Sequence, residues 1–113
     1  MNEKRRKPNH PGIILNELYI KPLNLNLNEL AEILGISRNA LFKIRVAKAG
    51  ISPKIAIRLA EAFETTPNLW LNLQQKYDIW VEENEKEHLL IQPISRRHHS
   101  VRRGRNNKVR AAA

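Results

Sequence analysis

The chain has 113 residues, of which 42% are hydrophobic, enough for one small core and too few for two domains. Its 20 Lys and Arg outnumber 11 Asp and Glu, for a formal net charge of +9, which favours nucleic acid or another polyanion as partner. The absence of cysteine excludes disulfides, thiolate metal sites and a Cys nucleophile.

Residues 1–9 read as a basic arm. Arg5, Arg6 and Lys7 lead into Pro8-Asn9-His10-Pro11 and not into an apolar run, predicting no secretory leader. No segment approaches the ~20 apolar residues of a membrane span, so the expectation is a cytoplasmic protein with no membrane partner. A first helix is predicted to open at His10–Pro11, with proline at the first helical position, and to end near Ile20, because Pro22 forbids continuation. Asn26 is a good N-cap for a second helix, in which Leu27, Leu30, Ala31 and Leu34 form one apolar stripe and Gly35 allows the stop. Ser37 caps a third helix with Ala40, Leu41 and Ile44 inward. Ser52–Pro53 opens a fourth, with Ala56, Leu59, Ala60 and Phe63 inward. Thr66–Pro67 opens a fifth, whose apolar face holds Trp70, Leu73, Tyr77 and Trp80 or Val81. From Ser95 onward the composition is that of a disordered tail. The fold class is all-α, with five helices in residues 10–87 and a basic tail over 88–113.

Charge is uneven along the chain. Residues 93–113 contain Arg96, Arg97, Arg102, Arg103, Arg105, Lys108 and Arg110 and no acid. From Ile33 to Ala60 the chain holds Arg38, Lys43, Arg45, Lys48, Lys54 and Arg58 without an acid, whereas Glu82, Glu83, Glu85 and Glu87 cluster later. One end of the domain is thus positive and another negative.

Residues 27–46 carry the functional signal. Two helices joined by Leu34-Gly35-Ile36, with the small Ala31 where the second must cross the first, have the pattern of a helix-turn-helix whose second helix enters the major groove. Ser37, Arg38, Asn39, Phe42, Lys43 and Val46 then face outward, and Arg45 and Lys48 extend the basic face. Arg38 can pair bidentately with guanine O6/N7 and Asn39 with adenine N6/N7, while Phe42 can pack on thymine methyls. Lys43 can meet base or phosphate, and Ser37 with the helix N-terminus suits a phosphate. A single half-site reader implies a homodimer on a palindrome. The helix predicted over about 67–86 supplies the interface, with Tyr77, Ile79 and Trp80 as its residues. No catalytic constellation, phosphate-cradling glycine loop or cofactor motif appears, so no enzyme activity is expected. His98–His99, without Cys or a flanking carboxylate, is not read as a metal site.

The combination of His10-Pro11-Gly12, Glu29-Leu30-Ala31, Gly35-Ile36-Ser37-Arg38-Asn39, Gly50-Ile51-Ser52-Pro53 and Leu69-Trp70-Leu71-Asn72-Leu73-Gln74 with Tyr77-Asp78-Ile79-Trp80 resembles the HigA family over about residues 9–81. These are antitoxins of type II toxin–antitoxin modules, also called virulence-associated protein I, in the larger lambda-repressor-like group. The resemblance implies a homodimer that represses its own operon by binding operator DNA. It also implies a HigB-type toxin as partner, a small mRNA endonuclease that the antitoxin neutralises. The same DNA chemistry serves a stand-alone or phage-type repressor without a toxin, and the tail alone would suit an RNA-binding protein. Two departures from the family pattern stand out. Arg45-Val46-Ala47 replaces an Asn-Gly at the end of the recognition helix, so either that helix continues toward Gly50 or Ala47 is strained. Leu27 replaces a polar residue, often Gln, at the start of the second helix.

Overall fold

The computed structural model describes residues 6–87 and 89–97, and among these every regular element is a helix. The first helix, α1, runs without interruption through three segments: α-helical Pro11–Leu15, π-helical Asn16–Ile20 and α-helical Lys21–Leu23. There follow α2 (Leu27–Leu34), α3 (Arg38–Arg45), α4 (Pro53–Phe63), α5 (Pro67–Asn84) and a short α6 (Ile94–Arg97). No helix of the described residues is long and apolar enough to cross a membrane.

Two boundaries differ from the sequence expectation. Helix α1 does not stop at Ile20, because the widened π turn absorbs Pro22. The Lys21 N–H reaches back five residues to the Asn16 carbonyl, which loosens the turn that a proline ring would otherwise crowd. The chain leaves the helix only at Asn24, in left-handed conformation with φ 52°, a conformation asparagine tolerates better than most residues. The second difference is Ile94–Arg97, a helical turn inside the segment read as tail, opened by Pro93 with its preset φ. Of the rest of the 88–113 tail, residues 89–93 are described and non-helical, while position 88 and residues 98–113, His98–His99 included, lie outside the described residues.

The predicted starts of the helices α2 to α5 hold atom by atom. The side chains of Asn26, Ser37, Ser52 and Thr66 accept from the N–H of Glu29, Ala40, Ile55 and Leu69 at 3.1, 3.0, 3.3 and 3.2 Å. Each such cap contributes about 1 kcal/mol. Leu15, Leu30, Leu34, Leu41, Ile44, Leu59 and Trp70 form the centre of the core. The Trp70 indole is fully buried, and its N–H donates to Thr65 Oγ1 at 2.8 Å, so the one polar atom of the ring is satisfied. Tyr19 of α1 packs on both Phe63 and Trp70, with ring centroids 4.7 and 5.6 Å apart.

His10 begins α1 in an unusual way. Its ring is 4% exposed, Nδ1 accepts from the Gly12 N–H at 2.9 Å, and the ring edge meets Tyr77 of α5 at 4.9 Å. Burial pulls the His10 pKa below its ordinary value, an effect the Asp78 carboxylate opposes. Below pH 6.5 the unfolded chain therefore takes up the proton before the folded one does. The stabilisation is complete above pH 6.5 and is lost as pH falls from there through the folded value. In urea titrations between pH 7.5 and 5, the wild type is expected to lose stability relative to His10→Asn, which keeps a capping oxygen and has no proton to gain; parallel curves would contradict this.

Candidate nucleic-acid interface

Helices α2 and α3 pack through Leu30, Ala31, Leu34, Leu41 and Ile44, all buried. Between them Gly35 sits at φ 69°, where an L side chain would be strained. Its N–H and that of Ile36 bond back to the Glu32 and Ala31 carbonyls at 3.1 and 3.0 Å. The turn is closed from outside by Arg58 of α4, whose Nη1 donates to the carbonyls of Leu34 and Gly35 at 3.0 and 3.3 Å. A guanidinium there satisfies carbonyls that the end of α2 leaves open and matches the negative end of its dipole. Arg58 belongs to the acid-free stretch read as a basic surface, yet its work is structural.

The outer side of α3 carries Ser37, Arg38, Asn39, Phe42 and Lys43, all exposed. Val46 and Lys48 continue the same exposed surface. Ion pairs among the described residues join Lys7 to Glu85, Lys21 to Glu17 and Lys86 to Glu82, and none involves Arg38, Lys43, Arg45 or Lys48. Among the described residues, no acidic partner compensates the cationic groups on this side. Ser37 uses one of its two oxygen lone pairs for the Ala40 cap and keeps its O–H to donate. Arg45 is the exception: it is half-buried, and its Nε donates to Asn16 Oδ1 on α1 at 3.2 Å. Its terminal nitrogens alone remain for a ligand, and its position is set by α1.

The way α3 ends resolves the question raised by the missing glycine. The helix does not extend to Gly50. Ala47 adopts φ 63°, and the Ala47 and Lys48 N–H groups return to the carbonyls of Ile44 and Lys43 at 3.1 and 2.8 Å. This is a Schellman stop made with an alanine, which costs about 1 kcal/mol against glycine. The loop that follows is pinned by Gln74 of α5. Its Oε1 accepts from the Ile51 N–H at 2.8 Å, while Nε2 donates to Asp78 at 3.0 Å. A Cβ on Gly50 would stand 3.2 Å from the Gln74 amide, a tight contact that would push the amide aside by a few tenths of an ångström. Asn16, Arg58 and Gln74 escaped the sequence reading, because nothing local marks a polar residue whose partner lies 23 to 29 positions away.

On α5, Tyr77 and Trp80 are half-buried and Ile79 is 47% exposed. The N-terminal arm lies over them: the Lys7 ammonium stands 5.6 Å from the Tyr77 ring centroid and 5.4 Å from that of Trp80, and it pairs with Glu85 at 2.9 Å. That contact holds the Lys7 pKa above its ordinary value, with the Glu85 hydrogen bond as the main cause. Arg6, Pro8, Lys76, Ile79, Trp80 and Glu83 line an open depression beside the arm. No group of three or more His, Asp or Glu suited to a metal ion occurs among the described residues.

Replacing Ala47 by Gly removes the left-handed strain without touching the outward face. Thermal unfolding is expected to shift upward by about 5 °C, corresponding to about 1 kcal/mol in a domain of this size. A lower midpoint would mean that the stop is not strained.

Comparison with known proteins agrees with this geometry. The helix-turn-helix family model matches residues 17–70. An HTH-type transcriptional regulator of Escherichia coli K12, YbaQ, is 43% identical over 84 residues, covering 74% of each chain. Virulence-associated protein I of Dichelobacter nodosus is 37% identical over 87 residues, covering 76% of this chain and 81% of its own. The structure is similar to that of the Pseudomonas aeruginosa antitoxin HigA with the higBA promoter, at TM-score 0.68 and 30% identity, over 77% of this chain and 98% of that one. The chain belongs to the helix-turn-helix family of HigA antitoxins and virulence-associated proteins.

Proposed function

We propose that this protein is an antitoxin and autorepressor that reads its own operator through α3. The observation that carries the reading is the outer side of that helix. Arg38, Asn39, Phe42 and Lys43 are exposed on an element packed against α1 and α2, and no carboxylate among the described residues pairs with their charges. Arg38 and Asn39 are the base readers. Lys43 meets base or phosphate, and Ser37, Lys48 and the free end of Arg45 meet phosphates. The Pseudomonas relative bound with its promoter supports the assignment. The unit over residues 10–87 does the reading, and the basic 88–113 tail adds phosphate contacts.

Two copies bind a palindrome, joined through the Ile79 side of α5, where an exposed aliphatic residue borders the depression lined by Pro8 and Trp80. The second partner is a HigB-type toxin encoded beside this gene. The protein acts in the cytoplasm, on the nucleoid, by binding and without a catalytic step.

Fluorescence anisotropy of the duplex upstream of the gene, against a shuffled duplex, tests the central part. A preference of about a hundredfold, removed by Arg38→Ala with Asn39→Ala, is expected from two bidentate base contacts. Equal, steeply salt-dependent binding to both duplexes would overturn it. Co-purification with the product of the adjacent reading frame tests the antitoxin role, and absence of a complex would leave a stand-alone repressor.

A further inference from the structure

The start of α2 comes up beside the outward side of α3, and the two helices together enclose an open depression lined by Leu27, Arg38, Asn39, Leu41, Phe42 and Arg45. Its floor is apolar. Leu27 is half-buried, Leu41 is fully buried and Phe42 keeps 50% of its surface exposed. Its rim is polar and cationic, from Arg38, Asn39 and Arg45, with no acidic residue among the lining. An aromatic ring left half in water, next to an aliphatic side chain at the edge of a cationic rim, lacks a partner of matching chemistry among the described residues.

The rim's charge selects a polyanion, and the floor selects an apolar group carried by it. In the major groove, base edges present nitrogen and oxygen atoms, and the apolar group among them is the C5-methyl of thymine. We infer that the Leu27–Phe42 depression is the seat of a thymine methyl in the operator, and that Leu27 is a specificity-determining residue contributed from outside the recognition helix. Arg38 and Asn39 set the register beside it. Arg45, held through Nε by Asn16, also lines the depression, and its terminal nitrogens are left to meet a phosphate. A polar side chain at position 27 would put a hydrogen-bonding group where this chain has hydrocarbon.

This inference rests on the operator-reading function, and its test separates the two. After the protected site upstream of the gene is located, each thymine in it is replaced in turn by uracil, which removes the methyl and changes nothing else on the base edge. The full-length protein is then titrated on each duplex. The expected result is a loss of about three- to fivefold at one thymine per half-site, set by burial of a single methyl. In Leu27→Gln and in Phe42→Ala the thymine and uracil duplexes should bind alike. Should the wild type discriminate the operator from a shuffled duplex and yet bind every uracil duplex as tightly as the parent, this inference is overturned and the operator reading stands. Should it fail to discriminate the operator at all, both are overturned. The uracil series uses the wild-type chain, so it does not depend on the variants folding.

Discussion

The position of the recognition helix depends on the absence of one side chain. At Gly12 a Cβ would overlap the carbonyl of Ile44, so α1 crosses the main chain of α3 at a distance that only glycine permits. Ile44 is itself buried and turns α3 toward the core. Once the two backbones touch, Asn16 reaches Arg45 on the outer half of α3. On the other side of the contact, His10 caps α1 and lies against Tyr77. The His10-Pro11-Gly12 tripeptide is therefore a single device: it starts a helix, seals its first turn and brings that turn against α3, the helix proposed to face DNA. A reading helix needs such support from several directions, because its base contacts work only when side chains are held within a fraction of an ångström.

Much of this was legible along the chain, for a physical reason. Capping oxygens, first-turn prolines and apolar stripes act within four residues, so Asn26, Ser37, Ser52–Pro53 and Thr66–Pro67 mark the helix starts directly. The outward set on α3 followed from the same periodicity. Pro22 is costly in an α-helical frame, and the π turn before it changes that frame, which the local sequence does not show. Arg58 and Gln74 were not legible, since a side chain that closes a distant turn has the same local sequence context as one in solvent. Tyr77 and Trp80, expected with Ile79 at the dimer interface, bring aromatic area to α5. Part of that area is taken up by Lys7 and His10, which a helix-by-helix reading could not assign.

Strain in the fold is concentrated where helices end. Asn24, Ala47 and Glu64 take left-handed conformations without being glycine. Asparagine carries this at little cost, and alanine and glutamate at more. Ala47 follows the recognition helix and precedes the loop held by Gln74, so two forces shape that segment: the strained stop redirects the chain, and the amide pair at Ile51 secures it. The result is that α3 ends at a defined place, with Lys48 just beyond it on the exposed side.

If α3 lies in the major groove with Arg38 on a guanine edge, methylation of guanine N7 must interfere with binding, and methylation interference reads this residue by residue. On the DNA upstream of the gene, the account predicts two groups of guanines whose methylation blocks binding, centred about 34 Å apart along one face of the duplex. Interference at one guanine in each group should vanish in Arg38→Ala, as that side chain is its reader. Binding indifferent to N7 methylation at every guanine would contradict the account, for it would place the protein on the phosphates or in the minor groove.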